Sequence, residues 1–164
     1  MRPLSLFFTG SPRIRMVLRV LGALLLLFVG LDHYYEYSVQ SYSVVPTIGT
    51  LFFLNFVSAS VIGLLLLIPL ERIMPRHGRL AVGAAALAGF GIAASSLLAL
   101  LVSEQTPLFG FMESNYRPTI VVAIASEAAA AIVLALLALA EMHRSPRETP
   151  QGAGSGAPTA AISP

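Results

Sequence analysis

The chain of 164 residues contains no cysteine, no lysine and no tryptophan, and its single aspartate is Asp32. Without thiols there is no disulfide, no thiolate metal ligand, no cysteine nucleophile and no dithiol redox chemistry. One aspartate excludes a two-aspartate membrane protease. Haem held between two helices would need a second histidine inside an apolar segment, but His77 and His143 stand among arginines. Neither a glycine-rich phosphate loop nor a serine elbow occurs, so no cofactor is implied and nothing in the inventory calls for an enzyme. Charge is scarce too: charged side chains make up 11% of the residues and hydrophobic ones 56%. That balance is far from the composition of a water-soluble domain.

What is present is apolar sequence in long runs. Segments 14–37, 48–70, 80–102 and 118–140 each supply about twenty residues, enough to cross a hydrocarbon core of about 30 Å at about 1.5 Å per residue. They predict an all-α membrane protein, a four-transmembrane-helix bundle whose solvent is the lipid bilayer. Pro46 and Pro118 stand where helices begin, and Pro69 where one stops. The first run follows a basic lead, as a signal peptide would. Its sequel Val29-Gly30-Leu31-Asp32-His33 lacks a small-x-small cleavage pattern, so it reads as an uncleaved helix.

Arginine sets the orientation. Arg2, Arg13, Arg15, Arg19, Arg72, Arg76, Arg79, Arg144 and Arg147 fall on one side of the predicted bundle and Arg117 alone on the other. The positive-inside rule then predicts cytoplasmic N and C termini in a multi-pass protein of the cell (plasma) membrane. The alanine-rich, lysine-free usage resembles that of a high-GC bacterium, which makes this the inner membrane. Arginine at helix ends is an orientation signal and not a nucleic-acid footprint. Residues 1–13 form a cytoplasmic lead, and 141–164, rich in Pro, Gly, Ser and Ala, a disordered cytoplasmic tail. All five tyrosines, Tyr34, Tyr35, Tyr37, Tyr42 and Tyr116, fall on the outer side, where they are expected to anchor the bundle at the interface.

Helices in lipid associate through small residues and polar contacts. Gly22, Leu26 and Gly30 lead up to His33; Ser58, Ala59 and Gly63 share the face of Asn55; Ala81, Ala85, Gly89 and Ala93 recur at spacing four; and Ala123, Ala131 and Ala135 accompany Glu127. Glu127 comes nine residues after Pro118, about 13 Å deep at helical rise, where an ionisable residue is a functional hypothesis or a neutral acid bonded within the bundle. If Arg19 lies at the inner boundary, Asp32, His33 and Glu36 enter the outer leaflet at the depth of Asn55, Ser95, Ser96 and Glu127. If Arg19 snorkels from deeper, they are interfacial. These seven residues form the candidate intramembrane polar site. His33 and Glu36, three apart, share a helical face suited to sharing a proton. One histidine with scattered carboxylates is not a metal-ligand set, so no metal is expected.

The stretches Tyr42-Ser43-Val44-Val45-Pro46-Thr47-Ile48-Gly49, running on to Asn55, then Leu108-Phe109-Gly110-Phe111-Met112-Glu113 and Glu127-Ala128-Ala129-Ala130 resemble a group of uncharacterised small four-helix integral membrane proteins of actinobacteria. The Pro-Thr-Ile-Gly entrance to the second helix carries most of that resemblance. Asp32 before His33 and the tyrosine-rich loop depart from it. The group implies fold and location and no activity, and size and helix count are also similar to DoxX-type membrane proteins.

Three functions fit these residues. The first, which the sequence favours, is a non-enzymatic scaffold or accessory component whose polar layer fixes helix register, with another membrane protein or a second copy as partner. The second is a small proton-coupled transporter working through Glu127. It is similar to the small multidrug resistance proteins in having four helices and one membrane glutamate, but it departs from them in placing that glutamate in the last helix and in its strong arginine asymmetry. The third is a redox or quinone-associated membrane protein using His33 and Glu127.

Overall fold

The structure, a computed structural model, describes residues 11–113 and 117–143. Most of the expected N-terminal lead, the expected tail from 144 onward, and Tyr116 lie outside the described residues. Four long helices dominate: α1 (Pro12–Ser38), α2 (Ile48–Leu67), α3 (Gly78–Ser103) and α4 (Pro118–Met142). Each is long and apolar enough to cross a membrane. Among the described residues there is no strand; a 3-10 turn (Tyr42–Val44) and a single helical turn (Leu70–Ile73) complete the connections.

The second span was expected to reach Leu70 and stops at Leu67. Pro69 has no N–H to continue the ladder and forces its predecessor out of the helical region; Ile68 is accordingly extended at φ −73°, ψ 134°. The carbonyls freed at this end are taken by Arg19 of α1. Its Nε donates to Leu66 O at 2.6 Å, one Nη to Ile68 O, and the other to Glu71 Oε2 at 2.8 Å. A cation on the last turn of a helix also meets the negative end of its dipole. Arg19 therefore stands level with the end of α2. His33 lies fourteen residues further along α1, about 21 Å away at helical rise.

Successive helices are antiparallel, and α4 closes back onto α1. Gly30 of α1 faces Ala59 and Ser60 of α2, and Gly22 faces Leu134 of α4. Ser96 meets Glu127 across α3 and α4, with Arg79 and Glu141 paired near the opposite end. The core consists of Ala23, Leu26, Ala59, Ala85, Ala86, Leu134 and their neighbours, all nearly free of solvent. On α3 three of the four residues of the expected stripe, Ala85, Gly89 and Ala93, are buried, and Ala81 is half-buried. On α4 it shifts: Ala130, Leu134, Leu137 and Ala138 are buried with Glu127, whereas Ala131 and Ala135 are half-buried. At 3.6 residues per turn, the face of Glu127 drifts toward i+3 and i+7 positions instead of holding at multiples of four.

At Gly89 of α3, side chains from the other three helices meet. A Cβ there would lie 2.7 Å from Leu26 Cδ1, 3.1 Å from Leu134 Cδ1 and 3.5 Å from Ile62 Cγ2. Both leucines are fully buried and cannot swing away. Gly89→Leu is therefore expected to destabilise the detergent-solubilised protein by about 1–3 kcal/mol, the usual cost of overpacking. Gly91→Ala, with nothing within 4 Å of the added carbon, should not lower thermal stability and serves as the control.

Candidate functional site

At the end of the bundle away from Arg19, α1, α3 and α4 each bring one polar side chain to a common point. His33 Nδ1 lies 2.9 Å from Val29 O one turn back on α1, and His33 Nε2 lies 2.9 Å from Ser96 Oγ on α3. Ser96 Oγ donates to Glu127 Oε1 on α4 at 2.7 Å. The direct separation from His33 Nε2 to Glu127 Oε1 is 3.6 Å. His33 is 7% exposed and Glu127 2%, so this chain is shielded from bulk water.

Proton positions follow from donor and acceptor rules. A backbone carbonyl only accepts, so His33 Nδ1 carries a hydrogen toward Val29 O. Ser96 has one hydroxyl hydrogen and two neighbours. If Ser96 gives it to Glu127, His33 Nε2 must be protonated to donate to Ser96. If Ser96 gives it to a neutral His33, Glu127 must be protonated to donate to Ser96. Either way the trio is satisfied by one shared proton, and removing it turns one of the two contacts into facing lone pairs. The arrangement can hold a proton and move it between an imidazole and a carboxyl through one hydroxyl.

This chain borders a cavity of about 320 Å³, at the small end of ligand pockets, which run from about 300 to 1,000 Å³. Asp32, Glu36 and Ser95 line it as well. Of the seven candidate residues, six therefore gather at one cavity. Asn55 does not line it, and its Oδ1 is buried without a hydrogen bond. Ser95 reaches the wall but donates back to Ile92 O of its own helix, because one step along α3 turns it about 100° away from Glu127. Among the described residues no three His, Asp or Glu side chains converge in the manner of a metal site.

The rest of the wall includes residues given other roles, or none, by sequence. Tyr42, expected to be an interfacial anchor, is instead 9% exposed. It donates to Glu113 Oε2 at 2.9 Å and accepts from Arg117 Nη2 at 2.7 Å. Its ring stacks on Phe52 at 5.0 Å and meets Phe111 edge-on at 5.3 Å. Burial, reinforced by the hydrogen bond to Glu113, pushes the Tyr42 hydroxyl up to about 12, so it remains a donor at neutral pH. Glu36 lies 3.7 Å from Arg117 Nη2 without a hydrogen bond. Tyr34 and Tyr35 do remain exposed.

Two local devices seat these groups. Ile48 N–H bonds to Pro46 O at 2.7 Å around Thr47, whose φ of 66° forms a strained γ-turn. Gly49 follows, and a Cβ there would stand 2.6 Å from Tyr42 O, so only glycine lets the 3-10 turn press Tyr42 inward. Leu108 and Phe111 exchange backbone bonds of 2.7 and 2.9 Å around Phe109 and Gly110, both at positive φ. Such a turn suits a tight reversal. It delivers Phe111 and Glu113 to the cavity. The Pro-Thr-Ile-Gly and Phe-Gly-Phe words were the signal for these residues, but they are turn signals and do not say what the turn carries.

Glu127→Gln keeps a donor toward Ser96 and is expected to fold with a loss under about 1.5 kcal/mol. Glu127→Lys puts a cation at the buried junction and should cost about 3 kcal/mol or more. Thermal unfolding of the two purified variants checks both; equal stability would mean that Glu127 is not held in this contact.

No protein-family model, no curated protein and no solved structure matches the chain, and the site is therefore read from its own chemistry.

Proposed function

We propose that the chain is a small proton-coupled carrier of a multi-pass plasma-membrane protein type, with the cavity as its binding site and Glu127 as its protonatable group. The termini and the connection between α2 and α3 are assigned to the cytoplasm. Arg15, Arg19, Arg72, Arg76 and Arg79 at one end against Arg117 at the other support that orientation, and the cavity then lies in the outer half of the membrane. One observation carries the reading. Glu127 gives one oxygen to Ser96, while its other oxygen is buried without a hydrogen-bond partner and the residue forms part of the cavity wall. A polar layer built only for register would close on itself, because unsatisfied polar groups in lipid are costly. Here the proton-holding chain ends at a space large enough for a small molecule.

The scaffold reading keeps one observation of its own: Ser96 joins α1, α3 and α4 and so fixes their register whether or not anything binds. Transport separates the two. Proteoliposomes holding a pH-sensitive dye under an imposed pH gradient are offered a panel of amphipathic solutes. At least one solute is expected to collapse the gradient faster than in protein-free liposomes, and Glu127→Gln should abolish that difference. Panel-wide equality with protein-free liposomes, or full activity in Glu127→Gln, contradicts the carrier reading.

A further inference from the structure

The cavity's unmet hydrogen bonds belong mainly to carboxyl oxygens, with one hydroxyl that can donate as well as accept. Both carboxylate oxygens of Glu36, the second oxygen of Glu127 and the hydroxyl oxygen of Thr119 are buried without a hydrogen-bond partner, and all three residues line the cavity. Glu36 is 6% exposed and Glu127 2%. Arg117 forms an ion pair with Glu36 at 3.7 Å but no hydrogen bond, being bonded to Tyr42 at 2.7 Å and to Gln40 at 3.4 Å. Carboxylate oxygens only accept hydrogen bonds. These oxygens are suited to a group with several N–H or O–H donors.

Formal charge gives the sign of that group. Apart from the His33–Ser96–Glu127 chain, Asp32, Glu36 and Glu113 line the cavity, and among the described residues the one guanidinium paired with these carboxyl groups is that of Arg117. Three carboxyl groups against one cation leave room for a positive ligand, since buried charge is tolerated when paired. The rest of the wall is apolar, with Ile48, Phe52, Leu100, Leu108 and Phe111 facing the same space. A bare metal ion would leave these surfaces against a void or against water.

We propose that the cavity binds a protonated primary or secondary amine carried on a compact apolar body, with the ammonium N–H groups directed at Glu36 and at the open oxygen of Glu127. The apolar body lies against Phe52 and Phe111. Leu51 and Ser95 line the cavity and are also exposed on α2 and α3, so the pocket opens onto the bundle surface, where an amphipathic amine partitions. A quaternary ammonium has the charge but no donors, and an alcohol of the same shape has a donor but no charge. The site distinguishes amine from both. This substrate class rests on the carrier reading only for its transport; binding is a property of the cavity itself.

Calorimetric titration of the full chain in lipid nanodiscs at neutral pH tests it with four probes of one shape: phenethylamine, phenethyltrimethylammonium, 2-phenylethanol and 3-phenylpropionate. Phenethylamine is expected to bind at least about tenfold more tightly than each of the others, the range for a charge-assisted hydrogen bond. Glu36→Gln should weaken it by about tenfold, and Thr119→Val by a smaller factor. The comparison among probes is made on the unaltered chain and stands even if a variant fails to fold. Equal or tighter binding of the alcohol, the carboxylate or the quaternary ion overturns the proposal, as does the absence of amine binding. Amine binding without any collapse of a pH gradient would sink the carrier reading and keep this ligand class. Gradient collapse by other solutes without amine binding would do the reverse.

Discussion

A hydroxyl has one hydrogen to give, and Ser96 stands between two groups that can each take it. His33 approaches from α1 and Glu127 from α4, at 2.9 and 2.7 Å. Three helices are thereby tied at one atom, and the tie is complete only while the trio holds a proton. Burial makes the condition strict, because a polar group that loses its partner inside the bundle is costly. The small residues below the junction, Gly22, Gly30, Gly63 and Gly89, allow the backbones close enough for such short side chains to meet. Packing and chemistry are here the same constraint.

The two ends of the bundle treat their charges differently. At the Arg19 end the guanidinium is spent on the carbonyls of Leu66 and Ile68 and on Glu71, while Arg15 pairs with Glu141 at 3.6 Å. Those contacts seal helix termini. At the Tyr42 end Arg117 is shared among Gln40, Tyr42, Glu113 and Glu36, and the carboxyl groups outnumber it. Among the described residues, arginines outnumber carboxyl groups at the first end, and carboxyl groups outnumber arginine at the second. That asymmetry, together with a cavity bordered by aromatic rings, is what a binding site at one membrane face requires.

Much of the helical framework could be read from residues alone, because long apolar runs bounded by proline and arginine have few alternatives. The candidate polar residues could be named by depth, since rise per residue is fixed. Depth does not give azimuth. Ser95 and Ser96 share a level, yet one bonds to its own helix and the other bridges two neighbours. Asn55 shares that level as well and stays out of the cavity. The small-residue stripe on α4 drifted for the same reason, with a spacing of four only approximating the helical period. Tyr42, Phe111, Glu113 and Arg117 were out of reach because loops, unlike helices, have no period to extrapolate. Their places depend on the γ-turn at Thr47, the contact at Gly49 and the reversal at Phe109 and Gly110.

The shared proton is the claim on which site and function both rest, and nitrogen NMR of histidine-labelled protein in bilayers observes it directly. His33 is expected to show a protonated Nδ1 in every sample, fixed by the carbonyl of Val29, and an Nε2 whose resonance moves when Ser96→Ala or Glu127→Gln is introduced. The signals of His77 and His143 should not respond to either change. A His33 protonated on Nε2 alone, or an Nε2 resonance indifferent to both substitutions, would contradict the account.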